Sequence, residues 1–180
     1  MEDKIRISVP QEKSDKFQQT LLYILKKVGG ILNIEITCLY QVFYFIDFDY
    51  YEKYEDQLMG LVYIKNNNGP TPLLFKKLVR DMAKNGKVKI IKSKLDPYPQ
   101  TKYIVKLKLD PDLSGLNEKE QEHINWELQR LSDLTIRQLS EQSHKDVPWI
   151  SAKNGKPLDY ESVFYRMPET SVREYSNTIR

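Results

Sequence analysis

The chain has 180 residues, 40% hydrophobic and 29% charged, enough for one domain with a sizeable core and too apolar for wholesale disorder. One cysteine, Cys38, and two histidines exclude an intrachain disulfide, a cysteine-based zinc site and a histidine-rich metal centre. The net charge of +3 is unevenly spread: residues 1–75 carry 8 basic and 10 acidic groups, residues 76–108 carry 11 and 2, and residues 109–180 carry 9 and 13. A basic middle between acidic ends either faces a polyanion or pairs internally with those ends. No apolar run nears the roughly 20 residues that span a bilayer, because Asp47 and Asp49 interrupt the richest segment. The start MEDKIRISVPQEK has no apolar signal region, so a cytoplasmic protein without a membrane partner is expected.

Residues 1–13 read as an extension, with an edge strand through Ile5, Ile7 and Val9 that Pro10 stops. Ser14 is placed to cap a first helix in which Phe17, Leu21, Leu22, Leu25 and Val28 recur at helical spacing and Gly29-Gly30 ends the run. After a short connection over Ile31 to Glu35, aromatic and large aliphatic residues crowd Ile36 to Tyr54 on too many sides for one buried face. That pattern predicts a central helix near the middle of the fold. Cys38 reads as a small core residue, and Asp47 as a cap for a neighbouring helix or a partner for a lysine. Tyr23, Tyr44, Tyr51 and Tyr54 are expected to bury rings and leave hydroxyls wet.

A short strand or irregular entry over Leu61 to Ile64 leads to the turn Asn66-Asn67-Asn68-Gly69-Pro70, whose residues tolerate left-handed backbone and then fix the exit. No Lys-Ser/Thr pair follows Gly69, so it is no phosphate loop. Leu73, Leu74, Leu78, Val79 and Met82 mark a helix ending near Asn85-Gly86, and residues 87–109 read as a β-hairpin with Asp96-Pro97-Tyr98-Pro99 at its tip. Its second strand alternates apolar and basic positions, while the first breaks phase at Ile90-Ile91, where a bulge would put its lysines outside. Helix followed by basic hairpin is the outline of a winged-helix element. The candidate nucleic-acid contacts are Lys76, Lys77, Arg80, Lys84, Lys89, Lys92, Lys94, Lys106 and Lys108.

Asn117 with Glu120 makes a capping-box start to a long helix reaching about Gln142, buried through Ile124, Leu128, Leu131, Leu134 and Leu139, with Trp126 and Ile136 nearby. His123, among Glu120, Glu122 and Glu127, reads as solvated. His144, Asp146, Pro148 and Trp149 follow; a histidine at a helix C-terminus with a tryptophan sealing the core is the better reading than a His-Asp catalytic pair. Residues 168–180 read as a polar tail, leaving 14–167 as a single domain. The fold class expected is mainly α (α+β): a compact helical domain with a central aromatic-rich helix, a long helix in the C-terminal half and one β-hairpin.

Three stretches in this order, CLYQVFYFIDFDYYEKYEDQLMG, NNNGPTPLLFKKLVRDMAKNGKV and LNEKEQEHINWELQRLSDLTIRQLSEQSHKDVPWISAKNGKPLDY, resemble the Panacea domain over about residues 18–165. This is the family of SocA-like antitoxins and phage-associated GepA-like proteins. Gln41 stands where a lysine is common in that pattern, and Asn68 where a bulky residue often precedes Gly-Pro. The resemblance implies a mainly helical bacterial or prophage domain that neutralises a toxin by direct contact, at least one member delivering its toxin to a protease. It brings no catalytic residues and no cofactor. The positions it marks here are Tyr44, Asp47, Gly60, Gly69, Pro70, Leu139, Ser140, His144, Pro148 and Trp149. A non-enzymatic antitoxin binding a cognate protein toxin is therefore the leading expectation, and a nucleic-acid-binding regulator the alternative.

Overall fold

The computed structural model describes residues 12–95, 100–107 and 112–174. Its elements are α1 (Ser14–Lys27), β1 (Ile31–Ile34), α2 (Ile36–Tyr54), β2 (Tyr63–Asn66), β3 (Gly69–Pro72), α3 (Phe75–Lys84), β4 (Val88–Leu95), β5 (Gln100–Leu107), α4 (Glu118–Ser132), α5 (Ile136–Lys145), α6 (Val147–Ser151) and a 3-10 helix (Tyr160–Tyr165). The protein is mainly α; among the described residues there are two small antiparallel sheets, one ordered β1-β5-β4 and the other the β2-β3 pair. The expected N-terminal edge strand and the tip of the long hairpin lie outside the described residues.

Helix α2 is buried on every side: its run from Phe43 to Glu52 has no exposed residue. On one side Phe17 of α1, Phe43 of α2 and Phe75 of α3 meet with ring centroids 5.3–5.4 Å apart, and Tyr40 lies 5.1 Å from Phe75. Such tilted and edge-on contacts suit the aromatic quadrupole. On the other side α4, α5 and the 3-10 helix pack against the same helix. The β2-β3 hairpin sits against α2 and α5, tied to the following chain by Tyr63 O accepting from Leu158 N at 2.8 Å.

Several local expectations are corrected. Ser14 is the first residue of α1 rather than its cap, and Lys13 at the cap position makes no side-chain cap bond. Residues 31–34 form β1 because β5 offers an open edge, pairing Ile31 with Lys106 through Ile34 with Tyr103. The long C-terminal-half helix is interrupted: Thr135 caps Gln138 N, and the Gln138 side chain accepts from Thr135 N, a capping box that starts α5 afresh. The β4-β5 register runs one for one from Val88 opposite Leu107 to Leu95 opposite Gln100, so there is no bulge at Ile90-Ile91. Lys92 thus shares a face with Ile90, and it borders an apolar hollow between Phe75 and Val79, where a lysine stem covers carbon while its amine reaches water.

Three acidic residues of α2, Asp47, Asp49 and Glu52, are buried, and a buried carboxylate is tolerable only when its oxygens are satisfied. Asp47 neither caps a helix nor meets a lysine. Its Oδ1 accepts the N–H groups of Met59 at 2.8 Å and Gly60 at 3.1 Å, and its Oδ2 accepts Leu61 N–H at 3.2 Å and the Tyr63 hydroxyl at 3.0 Å. The Tyr160 hydroxyl adds a contact at 3.2 Å. Aiming three successive N–H groups at one anion requires a sharply turned backbone, and Gly60 supplies it with a φ of 63°. Burial pushes the Asp47 carboxyl above its ordinary pKa, and the three backbone donors pull it back.

Three of the four tyrosine hydroxyls expected to be wet are bonded to side chains instead. Tyr44 donates to Asp146 Oδ2 at 2.6 Å, Tyr51 to Glu161 Oε1 at 2.5 Å and Tyr23 to Asn125 Oδ1 at 2.9 Å, whereas Tyr54 is exposed. His123 is not solvated either. It is 2% exposed, because α4 turns Glu120, His123, Ile124, Glu127 and Leu131 inward and leaves Trp126 at the rim. His123 Nε2 donates to Ile46 O at 2.8 Å while Nδ1 has no partner, the pattern of a neutral ring. Burial, opposed by the Ile46 carbonyl, lowers its pKa from 6.5 to about 4. The unfolded chain therefore takes up a proton near pH 6.5 that the folded chain refuses until about pH 4, so stability falls as pH drops through that window, by up to about 3 kcal/mol. In urea melts at about pH 7 and about pH 4.5, His123→Gln, whose amide keeps the bond to Ile46, is expected to lose less stability than the wild type. Equal losses would contradict the buried neutral ring.

Candidate functional site

Ser140 and His144 stand one turn apart on α5, on the face turned toward the β2-β3 turn. Each ring nitrogen of His144 meets a backbone carbonyl: Nδ1 lies 2.7 Å from Ser140 O and Nε2 lies 3.0 Å from Asn67 O. Trp149 of α6 stacks obliquely on the same ring, centroids 4.5 Å apart, and its Nε1 donates to Asn66 O at 3.3 Å. Trp149 is only half-buried, with Lys65 Nζ over its face at 4.1 Å, so it fastens the turn to α5 and α6 instead of sealing the core. Gly69 is obligatory here. Its φ is +109°, and a Cβ would come within 3.1 Å of Gln41 Nε2 and 3.4 Å of Ser143 Oγ.

Between this turn, the start of α2 and α5 lies an open cleft walled by Gln41, Asn67, Asn68, Ile136, Ser140 and His144. Two features of it stand out chemically. Gln41 is 3% exposed, its Nε2 reaches Asn68 O at 3.4 Å, and its Oε1 is buried with no partner. Ile136, the first residue of α5, is 57% exposed beside it. The cleft thus offers carbonyl, amide and hydroxyl groups, the carboxylate of Glu35 and an uncovered aliphatic side chain.

Behind the cleft, Asp146 belongs to a buried charge network and does not pair with His144. Asp146 Oδ1 caps α6 by accepting Val147 N–H at 2.9 Å and also accepts Arg166 Nε at 2.8 Å, while Oδ2 accepts Arg166 Nη2 at 2.5 Å. Arg166 Nη1 reaches Asp49 Oδ1 and Glu52 Oε2, both at 2.7 Å. Arg130 Nη2 binds the other Asp49 oxygen and Glu127 Oε2, both at 2.8 Å. Burial alone would lower the Arg166 pKa; the Asp49 and Asp146 carboxylates overcome it and hold the guanidinium charged. Asp49 is shifted down, since Arg166 and Arg130 outweigh its burial. Glu127 is pushed well above the carboxylate range by burial and then by the charge of Asp49. Its Oε2 accepts from Arg130, while Oε1 is buried without a hydrogen-bond partner.

The positions singled out in the sequence thus divide. Tyr44, Asp47, Gly60, Leu139 and Pro148 are buried scaffold, whereas Ser140 and His144 line the cleft; Gly69 and Pro70 are buried in the turn beside it, and Trp149 fastens that turn through Asn66 O. The basic candidates are separate: Lys76, Lys77, Arg80 and Lys84 are exposed on α3, and Lys89 and Lys92 are exposed on β4. The side chains of Lys94 and Lys106, and all of Lys108, lie outside the described residues. Among the described residues no group of three or more His, Cys, Asp or Glu side chains is arranged to hold a metal, and no helix is long and apolar enough to cross a membrane. Cys38 is buried, its thiol pKa raised by burial and by Glu35.

The family model for the antitoxin SocA-like, Panacea domain matches residues 39–150, more than half of the chain. The chain belongs to this family. No curated protein matches it, and no solved structure does. The matched Panacea segment opens inside α2 and closes within α6, so it contains the β2-β3 turn and α5 sides of the cleft and leaves out Glu35, Ile36 and Thr37 at the start of α2. It leaves out α1 and Arg166, which lie beyond its ends. Arg166, Asp49, Glu52 and Glu127 are the residues that spacing does not single out as a set; the signal for them is three acids in a helix crowded with aromatic residues.

Arg166→Met tests the network. The substitution leaves Asp49, Glu52 and Asp146 facing one another without their shared guanidinium, and is expected to cost about 3–5 kcal/mol in urea unfolding. A loss below about 1 kcal/mol would mean that the cluster is not buried as described.

Proposed function

We propose that this Panacea protein is a non-enzymatic antitoxin of a bacterial or prophage toxin–antitoxin pair, acting in the cytoplasm. In this reading it neutralises one cognate protein toxin by gripping it at the cleft between the β2-β3 turn and α5. The observation that carries the reading is the family membership, joined to the arrangement of the family-marked positions. Those that do not serve the core gather at one surface, where Asn67, Asn68 and Ile136 stand exposed. A toxin strand or loop laid there would meet backbone-like amides and one aliphatic anchor, the mixture expected of a partner surface. Delivery of the bound toxin to a protease is the second form of the same role, and uses the same contact.

The test is co-expression with the product of the neighbouring gene. That product is expected to arrest growth alone and to be harmless beside the wild-type chain, with which it co-purifies. Asn68→Arg with Ile136→Glu, both at exposed positions, is expected to lose co-purification and protection with an unchanged thermal midpoint. In protease-deficient cells, protection that disappears while the complex persists marks the adaptor form. A neighbouring product that is harmless by itself, or a double variant that protects as well as the wild type, would contradict the reading.

A further inference from the structure

The N-terminal half carries a second surface whose chemistry differs from that of the cleft. Its elements run α1, β1, α2, α3, β4, β5, with the β2-β3 hairpin inserted before α3, and its three strands are ordered β1-β5-β4. The three helices share the Phe17, Phe43 and Phe75 cluster. This is the element order and strand pairing of a winged helix, in which the third helix of a three-helix core is the one offered to a nucleic-acid groove and the last two strands form the wing. The arrangement was visible in outline from the helix and hairpin alone. The pairing of β1 with β5 completes it.

The face that α3 offers is basic. Phe75, Leu78, Val79 and Met82 hold the helix to the core, which leaves Lys76, Lys77, Arg80 and Lys84 exposed on the opposite side at helical spacing. Lys87 and the β4 residues Lys89 and Lys92 continue the exposed series. From Phe75 to Lys92 there are seven basic side chains and one acidic one, Asp81. Asp81 lies 3.7 Å from Lys77 with both side chains largely exposed, a contact that neutralises little in water.

We propose that α3 and the start of β4 form a binding face for duplex DNA, with α3 seated in the major groove. Ten residues make a helix about 15 Å long, and the B-form major groove, about 12 Å wide, admits such a helix, whereas the A-form groove of RNA is too narrow. Lysines contact phosphates as point charges; Arg80 alone on this face has the fork that reads guanine. The binding is therefore driven by the DNA backbone, steep in salt and weakly selective in sequence. The face shares no residue with the Ser140–His144 cleft, so it stands or falls apart from the toxin.

The experiment is fluorescence anisotropy of a labelled duplex of about 20 base pairs with the full chain. Four phosphate contacts predict a logarithmic salt slope of about −3.6, so affinity falls roughly 150-fold between about 50 and about 200 mM salt. The reversal K76E/R80E/K84E is expected to weaken binding at low salt by at least about tenfold. The control K145E/K153E/K156E changes net charge equally at other exposed positions, and is expected to stay within about threefold of the wild type. If the reversed helix shifts the thermal midpoint, the neutral set K76Q/R80Q/K84Q takes its place. No binding at low salt, equal losses in the two triple variants, or RNA duplex bound as tightly as DNA would each overturn the proposal.

Discussion

The guanidinium of Arg166 is the contact on which the arrangement of the C-terminal half depends. It is buried, and it meets Asp49 and Glu52 of α2 and both oxygens of Asp146 at the corner between α5 and α6. Without it, Glu52 and Asp146 would be enclosed with no compensating charge and Asp49 would keep Arg130 alone, which costs several kcal/mol. With it, the corner at Asp146 is locked against the central helix, and the positions of His144 just before the corner and Trp149 just after it follow. The chain beyond continues the fastening: Val172 N donates to Glu52 Oε2 at 3.1 Å, and Arg173 Nε donates to Glu52 O at 2.6 Å. Ser171, Val172 and Arg173, within the polar C-terminal stretch, are thus bonded to α2.

Asp47 performs the corresponding task on the other side of the same helix, gathering the backbone of Met59, Gly60 and Leu61 and setting the entry into β2. A helix that is apolar nearly all round has no face left to signal direction to its neighbours, since hydrophobic burial is non-directional. Its buried acids supply that direction, because a hydrogen-bonded carboxylate accepts donors only from particular angles. The result is a rigid frame that presents two separate surfaces, a polar cleft edged by an aliphatic residue and a basic helix. Neither consists of residues that the frame needs for burial.

Much of this is legible before any coordinates. The crowding of Ile36 to Tyr54 announces a central helix, Asn117 with Glu120 announces the start of α4, and the Asn-rich Gly69-Pro70 segment announces a turn tolerant of left-handed backbone, which Gly69 adopts. What escapes is non-local. The partner of a buried acid lies 117 residues away in the case of Asp49 and Arg166, and no period or propensity links such positions. β1 reads as a connection because four residues gain strand character only from the edge they pair with. The inward turn of His123 is hidden because Glu120 and Glu127 share its stripe, and a stripe containing acids reads as solvated. The break at Thr135 was within reach, since Thr135 and Gln138 carry capping-box spacing, but the leucines on either side mask it.

The proposal that joins the family to this structure is that the cleft at the β2-β3 turn is where the toxin is held. Hydrogen–deuterium exchange on the complex with the neighbouring gene's product reads that contact directly. Protection is expected to appear over residues 67–68 and 136–144, with the amides around Asp47 slow to exchange in both free and bound protein. Binding that leaves those two segments unchanged while protecting another surface would contradict it.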